Sequence, residues 1–591
     1  MLGNRSLERF DFCIIGSGAG GGTAAHVLAA AGKSVLVLEA GGNAFPGLDR
    51  RHLPFPLHSN DELKYSVRNY IQQDGFLEPR TFRQSDTAAA GLSEDVNVLP
   101  KAVGGAFQHA DAKTPRFNEV DFRLRTKFQE LDARGVKIPG FNEGAAANFA
   151  DWPFTYDDLE PFYAEAEALY GVQGLQGDNP FESRRSQPYP MPPGVAMYLA
   201  LLLADGARQV QVPGHGELHP HTYPAAINSR FYEGRPPCVD CGLCSGFGCP
   251  NNSKGSPAVT TLRRALLSRR CQLRFNTMVT RLVNDGGHVS GVEYIDGAGA
   301  GQMATADAFI LAASPIESAR LCLLSPTPAG MTLGNASGQL GRNLMFHFQT
   351  NVNGFLPQRV HGQRGRAVTH GISDFRGVEP GGREIRVFDV GGEQRVFLGG
   401  ICEFGGSQGQ PISEDASNYL TLGARPGAKL KNALRDLPLG QHLFGLTMQA
   451  EDAPQSTNVV DLDPVHRDVY GLPVPRITYR NHAFEQKTRQ FYIPLLKEIV
   501  LRAGAPADKV FVTPCLPFLV GPPSTRHVMG TLRMGVDAAS SVTNAQGRFH
   551  HVDNLYATDG SVFPTSSGYN PTLTIIAVAL KIAHGIAGTA P

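Results

Sequence analysis

The sequence predicts an α/β chain, α+β overall, and two stretches carry that prediction. Residues 10–39 read in order as strand, glycine turn, helix, strand and acid, which is a parallel strand–helix–strand unit. Residues 272–283 and 289–294 alternate apolar and polar side chains in the manner of antiparallel strands. A length of 591 residues suggests two to four domains around a large buried core.

The N-terminal unit assigns a task to each residue. Phe10 to Ile15 is a short apolar run suited to a buried strand, and Gly16, Gly18 and Gly21 follow it. Gly16 permits the tight turn, Gly18 lets the backbone approach a pyrophosphate, and Gly21 lets helix and strand pack closely. Thr23 to Ala31 is rich in Ala and Leu and suits a helix, whose N-terminus offers free N–H groups to phosphates. Ser34 to Leu38 reads as the second strand, and Glu39, 23 residues after Gly16, stands where an acid binds a ribose hydroxyl. This is a Rossmann-like dinucleotide fingerprint, and it leaves NAD and FAD both open. The chain then continues for roughly 550 residues and carries further cofactor-like features at its far end.

Composition narrows the partners. Lys plus Arg and Asp plus Glu both number 54, so the net charge is zero and a nucleic-acid partner is not expected. Met1 to Arg9 has no apolar stretch of signal-peptide type, and Lys581 and His584 interrupt the apolar run Leu573 to Ile586, so no membrane span is expected. The expected location is cytoplasmic, or periplasmic if a partner subunit carries the chain out. Five of the nine cysteines are scattered, at 13, 271, 322, 402 and 515, and four are clustered, which does not look like a secreted disulfide framework.

The cluster is Cys238-x2-Cys241-x2-Cys244-x4-Cys249-Pro250, a ferredoxin-like run with one residue added. Thiolates this close bind iron–sulfur or zinc, and the same spacing also serves packed thiols or a disulfide loop. Gly242, Gly246 and Gly248 suit a tight loop in each case.

Four blocks, in order along nearly the whole chain, resemble the glucose-methanol-choline family of flavoprotein oxidoreductases. They are the fingerprint through Gly42; Val103 to His109 with Arg116, Asp121 and Phe122; Ile310 to Arg320 with Gly341 to Leu344; and His527 to Gly535 with Asn554 to Ser561 and Asn570 to Thr574. Trp152 to Tyr163 also resembles the opening of the family's substrate domain. Ala313-Ser314 and Ala106-Phe107-Gln108 depart from the family's usual residues.

The resemblance implies a discontinuous FAD-binding domain (8–44, 98–122, 232–345 with the Cys-rich loop, and 515–591 with the catalytic residues). The rest would be substrate domain (45–97 as a lid, 123–231 and 346–514), with a mainly antiparallel sheet roofing the flavin and a short strand from Glu384 to Phe388. It implies oxidation of a CH–OH group of a sugar, glycoside or other alcohol by hydride transfer to FAD. The alternatives are an oxidase that makes hydrogen peroxide and, from another class, a catalytically silent flavin-fold binding protein.

Alcohol oxidation needs a base for the hydroxyl proton, and histidine suits that task near neutral pH. His527 is the candidate base and Asn570 its partner. Asn570 before Pro571 also reads as a helix N-cap, with the helix's positive end toward the flavin. Gly104 and Gly105 would let the backbone pass the flavin ring, and Asp559 and Gly560 would meet the pyrophosphate or ribityl chain. Val279, Pro571 and Thr572 complete the expected cofactor contacts. His109 stands where some members attach FAD covalently; here a non-covalent contact is expected. His550 and His551 read as surface residues. In the iron–sulfur members the cluster passes electrons to a partner, so Cys238, Cys241, Cys244 and Cys249 would imply a small subunit and a cytochrome or quinone acceptor.

Overall fold

The computed structural model describes residues 9–57, 75–93, 100–212, 214–362, 364–406, 416, 420, 425–436, 439–513 and 527–591. Parts of the 45–97 and 515–591 segments, Cys515 among them, lie outside the described residues.

Arg9–Ile15 forms the expected first strand and pairs in parallel with Val35–Leu38 on one side and Gly301–Leu311 on the other. Cys271–Arg274 and Leu555–Ala557 extend the sheet at its two sides, again in parallel. Every residue of Val35–Leu38 is buried, as a parallel strand covered on both faces requires. The helix Ala19–Ala30 packs on this sheet together with Thr572–Ala587, so the two ends of the described chain share one core. The first helix begins four residues before the expected Thr23, with Gly18 as its N-cap and Gly21 in its first turn.

The stretch 272–283 differs from expectation. It is two strands, Cys271–Arg274 and Met278–Asn284, and the first is parallel to Val35–Leu38. The break has a local cause: Asn276 takes a left-handed φ of 51°, and the N–H groups of Asn276 and Thr277 donate to the carbonyls of Gly41 and Glu39. Met278–Asn284 then pairs antiparallel with Val289–Ile295, and that strand with the start of Gly301–Leu311.

A second sheet has six strands in the order Val510–Thr513, Phe348–Phe355, Leu443–Ala450, Cys402–Gly406, His370–Ile372 and His221–Thr222. Each pairing is antiparallel. Phe348–Phe355 alternates buried and half-buried positions along its whole length. Phe348 and Val352 share a core with Leu199 and Leu203 of the helix Tyr198–Arg208 and Leu496 and Ile499 of Ala483–Arg502. Gly206 lets the two helices touch, since a Cβ there would stand 2.7 Å from the Ala503 nitrogen.

The expected strand Glu384 to Phe388 is not formed as such. Ile385 makes an isolated bridge to Val378, and the strand proper is Phe388–Val390, paired with Glu393–Arg395. The turn closed by Glu379 N–H on the Glu384 carbonyl, 2.9 Å, holds the earlier residues out of a ladder. No described helix is long and apolar enough to cross a membrane.

Candidate active site

A cleft of about 1230 Å³, open to solvent, runs along the C-terminal ends of the parallel strands, where ligands of open α/β sheets bind. Gly16, Gly18, Glu39, Gly105, Val279, Asp559 and Gly560 line it. The glycines have separate reasons to be there. A Cβ on Gly16 would lie 2.3 Å from the Ala312 carbonyl oxygen, and one on Gly21 would lie 2.0 Å from the Gly16 carbonyl oxygen. A Cβ on Gly18 would instead meet nothing closer than Gly105 Cα at 3.7 Å, so that position faces the open cleft.

Glu39 ends its strand buried, and its carboxylate accepts from Ser17 N–H at 3.0 Å, Ser17 Oγ at 2.6 Å and Gly41 N–H at 2.9 Å. Burial pushes the Glu39 carboxyl above its ordinary range, and these donors oppose the shift. A side-chain-free wall at a helix N-terminus with an acid one strand-end away fits an adenine dinucleotide.

Val528, also in the cleft wall, follows His527 directly. His527 Nδ1 lies 2.9 Å from His347 Nδ1, and their rings meet edge to face. His347 Nε2 lies 3.2 Å from the Ser566 carbonyl oxygen. A carbonyl only accepts, so His347 Nε2 carries the hydrogen and its Nδ1 is a lone pair. His527 Nδ1 must then be the donor between the rings, which leaves the lone pair of His527 on Nε2. The buried position holds His347 neutral: burial, with the Arg376 guanidinium adding, lowers it to about 4, against the opposing pull of the Ser566 carbonyl.

Asn570 stands over that lone pair, its Nδ2 3.5 Å from His527 Nε2. Nδ2 also donates to Glu403 Oε1 at 3.0 Å, and the Tyr223 hydroxyl donates to Asn570 Oδ1. These partners fix the amide so that N–H, not carbonyl, faces the imidazole. Glu403 is anchored in turn by Lys113 Nζ at 2.6 Å, and Lys113 also meets Asp111 at 3.0 Å. Burial disfavours the ammonium, but the two carboxylates outweigh it and hold Lys113 above its ordinary value. Burial, then the Glu403 charge, raises Tyr223 well above its ordinary value, so it remains a donor.

The four clustered cysteines line one small pocket with Ile227, Leu243 and Lys254. None is in a disulfide. Gly242 and Gly246 have φ of 78° and 81°, the left-handed turns the loop needs. Lys254 Nζ ties the loop to the carbonyls of Gln108, Cys244 and Phe247, and Gly246 N–H donates to the His109 carbonyl at 2.8 Å. The loop therefore sits on the segment that brings Gly105 to the cleft. Burial raises Cys238 to about 11 and Cys244 to about 12, and raises Cys241 as well. Metal binding here would release protons. Among the described residues, the one set of three or more His, Cys, Asp or Glu ligand atoms mutually within 4.8 Å lies elsewhere. A tetrahedral zinc would draw its sulfurs to about 3.8 Å from one another, so the loop as it stands does not fit a single zinc ion.

The structure gathers most of the residues singled out in the sequence and separates some. Gly21 lies behind the cleft, packed on Gly16, and Gly104, with φ of 91°, turns the chain and donates to Ser17 Oγ at 3.0 Å. His109 is buried beside the Cys loop and is not among the residues that line the cleft. Asn570 is not the helix cap: Pro571 is, without a side-chain bond, and the helix begins at Thr572. The Asn570 amide is drawn the other way, to Glu403 and Tyr223. His551 is exposed and half-buried His550 bonds Ser541 Oγ at 2.9 Å, both apart from the reaction centre. His347, Tyr223, Glu403 and Lys113 were not singled out. His347 had a signal, three residues beyond Leu344 at the end of a recognised block. Tyr223, Glu403 and Lys113 arrive from segments far apart in sequence and had none.

Comparison with known proteins finds relatives among alcohol and sugar oxidoreductases. A family profile described as GMC oxidoreductase matches residues 454–579, and one described as an NAD(P)-binding Rossmann-like domain matches residues 14–72. The chain is 29% identical to the gluconate 2-dehydrogenase flavoprotein of Pantoea cypripedii, over 98% of this chain and 94% of that protein. It is 28% identical to the 2-methyl-1,2-propanediol dehydrogenase of Mycolicibacterium austroafricanum (98% and 95%) and 25% identical to the fructose dehydrogenase large subunit of Gluconobacter japonicus (99% and 99%). The crystal structure of pyridoxine 4-oxidase from Mesorbium loti shares the fold, with a TM-score of 0.60 at 16% identity over 98% of this chain and 100% of that one.

Proposed function

Because the chain is a member of the glucose-methanol-choline oxidoreductases, FAD-dependent enzymes acting on CH–OH donors, we propose that it is a dehydrogenase of a sugar, sugar acid or small polyol. Its electrons would pass through the Cys-rich loop to a quinone or cytochrome-type acceptor. The observation that carries the reading is the His347–His527–Asn570 set, which leaves one imidazole lone pair and one amide N–H converging beside the dinucleotide cleft.

The residues that would hold FAD are Gly16, Gly18, Glu39, Gly105, Val279, Asp559 and Gly560. Bound there, FAD supplies the hydride acceptor. His527 Nε2 takes the hydroxyl proton of the alcohol. Asn570 Nδ2 donates to the oxygen as it gains charge, a donor held in advance by Glu403 and Tyr223. His347 keeps His527 in the tautomer whose lone pair is on Nε2, and it accepts the Nδ1 hydrogen throughout.

An iron–sulfur cluster on Cys238, Cys241, Cys244 and Cys249 is the finer reading of the electron exit. It is supported by the single pocket all four line and by the loop's bonds to the His109 and Gln108 carbonyls. The names of the gluconate and fructose relatives, a flavoprotein and a large subunit, support an assembly with further subunits. The test is anaerobic flavin reduction by a panel of gluconate, fructose, glucose and short diols, with iron and acid-labile sulfide assayed in the same protein. Reduction by at least one of these, with stoichiometric iron and sulfide, is expected. A flavin that none of them reduces would overturn the substrate class, and an iron-free enzyme with full turnover on a quinone would overturn the cluster.

A further inference from the structure

A third cluster lies outside both sites. His215 Nε2 and His219 Nδ1 both contact one oxygen of Asp374, at 2.7 and 2.8 Å, and the three ligand atoms lie mutually within 4.8 Å. Asp374 is fully buried, the His215 side chain is nearly so, and that of His219 is 48% exposed, which leaves one approach from solvent. The ligands are oriented from behind. The backbone N–H of His219 donates to the other Asp374 oxygen at 3.1 Å, which turns the first toward the imidazoles. The Phe181 ring stacks on His215 and meets His219 edge-on, and Gly214 and Gly216, with φ of 74° and 92°, bend the loop around His215.

We propose that His215, His219 and Asp374 form a binding site for a divalent transition metal, zinc being the best match, with solvent as the remaining ligand. Two imidazoles and a carboxylate are a zinc-type donor set. Ligands about 2.0–2.1 Å from a tetrahedral ion stand roughly 3.3 Å apart, so the set needs to open by about half an ångström. One group opposes it: Arg386 Nη1 lies 3.4 Å from His215 Nε2. Glu379 stands on the far side of that guanidinium, at 3.3 Å, and is where it would withdraw. The ion's role would be structural. Asp374 follows Ser373, which bonds His221 Nε2 at 2.9 Å, and His221 lies two residues before Tyr223, the donor to the Asn570 amide. The metal would pin the 214–219 loop to the region behind the catalytic amide.

The test uses the FAD-loaded enzyme, freed of adventitious metal by a mild chelator and titrated with zinc chloride. Wild type is expected to retain one zinc equivalent more than His219→Ala, with a nitrogen and oxygen shell and no sulfur by X-ray absorption. Asp374→Asn should lose the same equivalent at unchanged flavin content. Arg386→Gln should tighten it several-fold, because the opposing charge is gone. Equal zinc in wild type and His219→Ala, sulfur on the additional equivalent, or weaker binding in Arg386→Gln would overturn the site. His219 is half exposed and outside the reaction centre, so its variant reads binding without threatening the fold.

Discussion

The dinucleotide cleft and the reaction centre adjoin, yet they are built from different materials. The cleft is made of backbone and missing side chains: Gly16, Gly18 and Gly105 in turns, with one acid held by three donors. The reaction centre is made of side chains alone, and it comes from six parts of the chain: Lys113, Tyr223, His347, Glu403, His527 and Asn570. The first tolerates no added atom, while the second tolerates a change of atom as long as hydrogen-bond direction is kept. That difference sets the sizes of the expected effects.

The largest is at Gly18. Gly18→Val should lose essentially all FAD while remaining folded, because its Cβ has room within the protein and fills only the cleft. Near-full flavin occupancy in that variant, read by absorbance after gel filtration, would break the cleft half of the comparison. His527→Ala comes next, and its expected loss lies in the flavin-reduction rate and leaves flavin content intact.

His347 separates direction from bulk. His347→Asn presents an amide that can still accept from His527, and it should slow flavin reduction by about tenfold. His347→Leu should slow it by about a hundredfold, since His527 then loses its tautomer partner. Equal rates in the two variants would mean that His347 only fills space. Glu403→Gln and Tyr223→Phe should have smaller effects, about three- to tenfold in the same rate, because each leaves the Asn570 amide one of its two anchors.

The buried imidazole also has a stability signature. Its folded value of about 4 lies below the ordinary 6.5, so the unfolded chain takes up this proton first as pH falls. The associated stability is complete above about pH 6.5 and is lost as pH drops toward 4, to a total of roughly 3 kcal/mol. His26, lowered to about 4 by burial, acts in the same window. The check is therefore a difference: the fall in unfolding temperature between pH 7 and 4.5 should be shallower in His347→Asn than in wild type.

This contrast also explains what could be read before the fold was known. Glycine turns and the acid at Glu39 act through neighbours in sequence, so the nucleotide unit was legible residue by residue. His527 and Asn570 stood in recognisable blocks. Glu403 and Tyr223 acquire meaning only when the strand Cys402–Gly406 and the end of His221–Thr222 are folded over Asn570, a juxtaposition across 180 residues that no local pattern encodes. The same blindness misassigned 272–283, where alternation was right and the partner strand was wrong. It also made Asn570 a cap, because capping is the local use of an asparagine before proline and its true partners are distant.

Alcohol oxidation at this site depends on a proton leaving the alcohol for His527 Nε2. The direct measurement is anaerobic stopped-flow reduction of the bound flavin by the best alcohol of the panel, followed across pH in wild type and His527→Ala. Loss of a positioned base costs 10²–10⁴ in rate, about 3–5 kcal/mol of barrier. The expected result is a slowing of that order at unchanged flavin content, with the wild-type dependence on a neutral imidazole gone from the variant. Reduction of His527→Ala at the wild-type rate, with the wild-type pH profile, would contradict it.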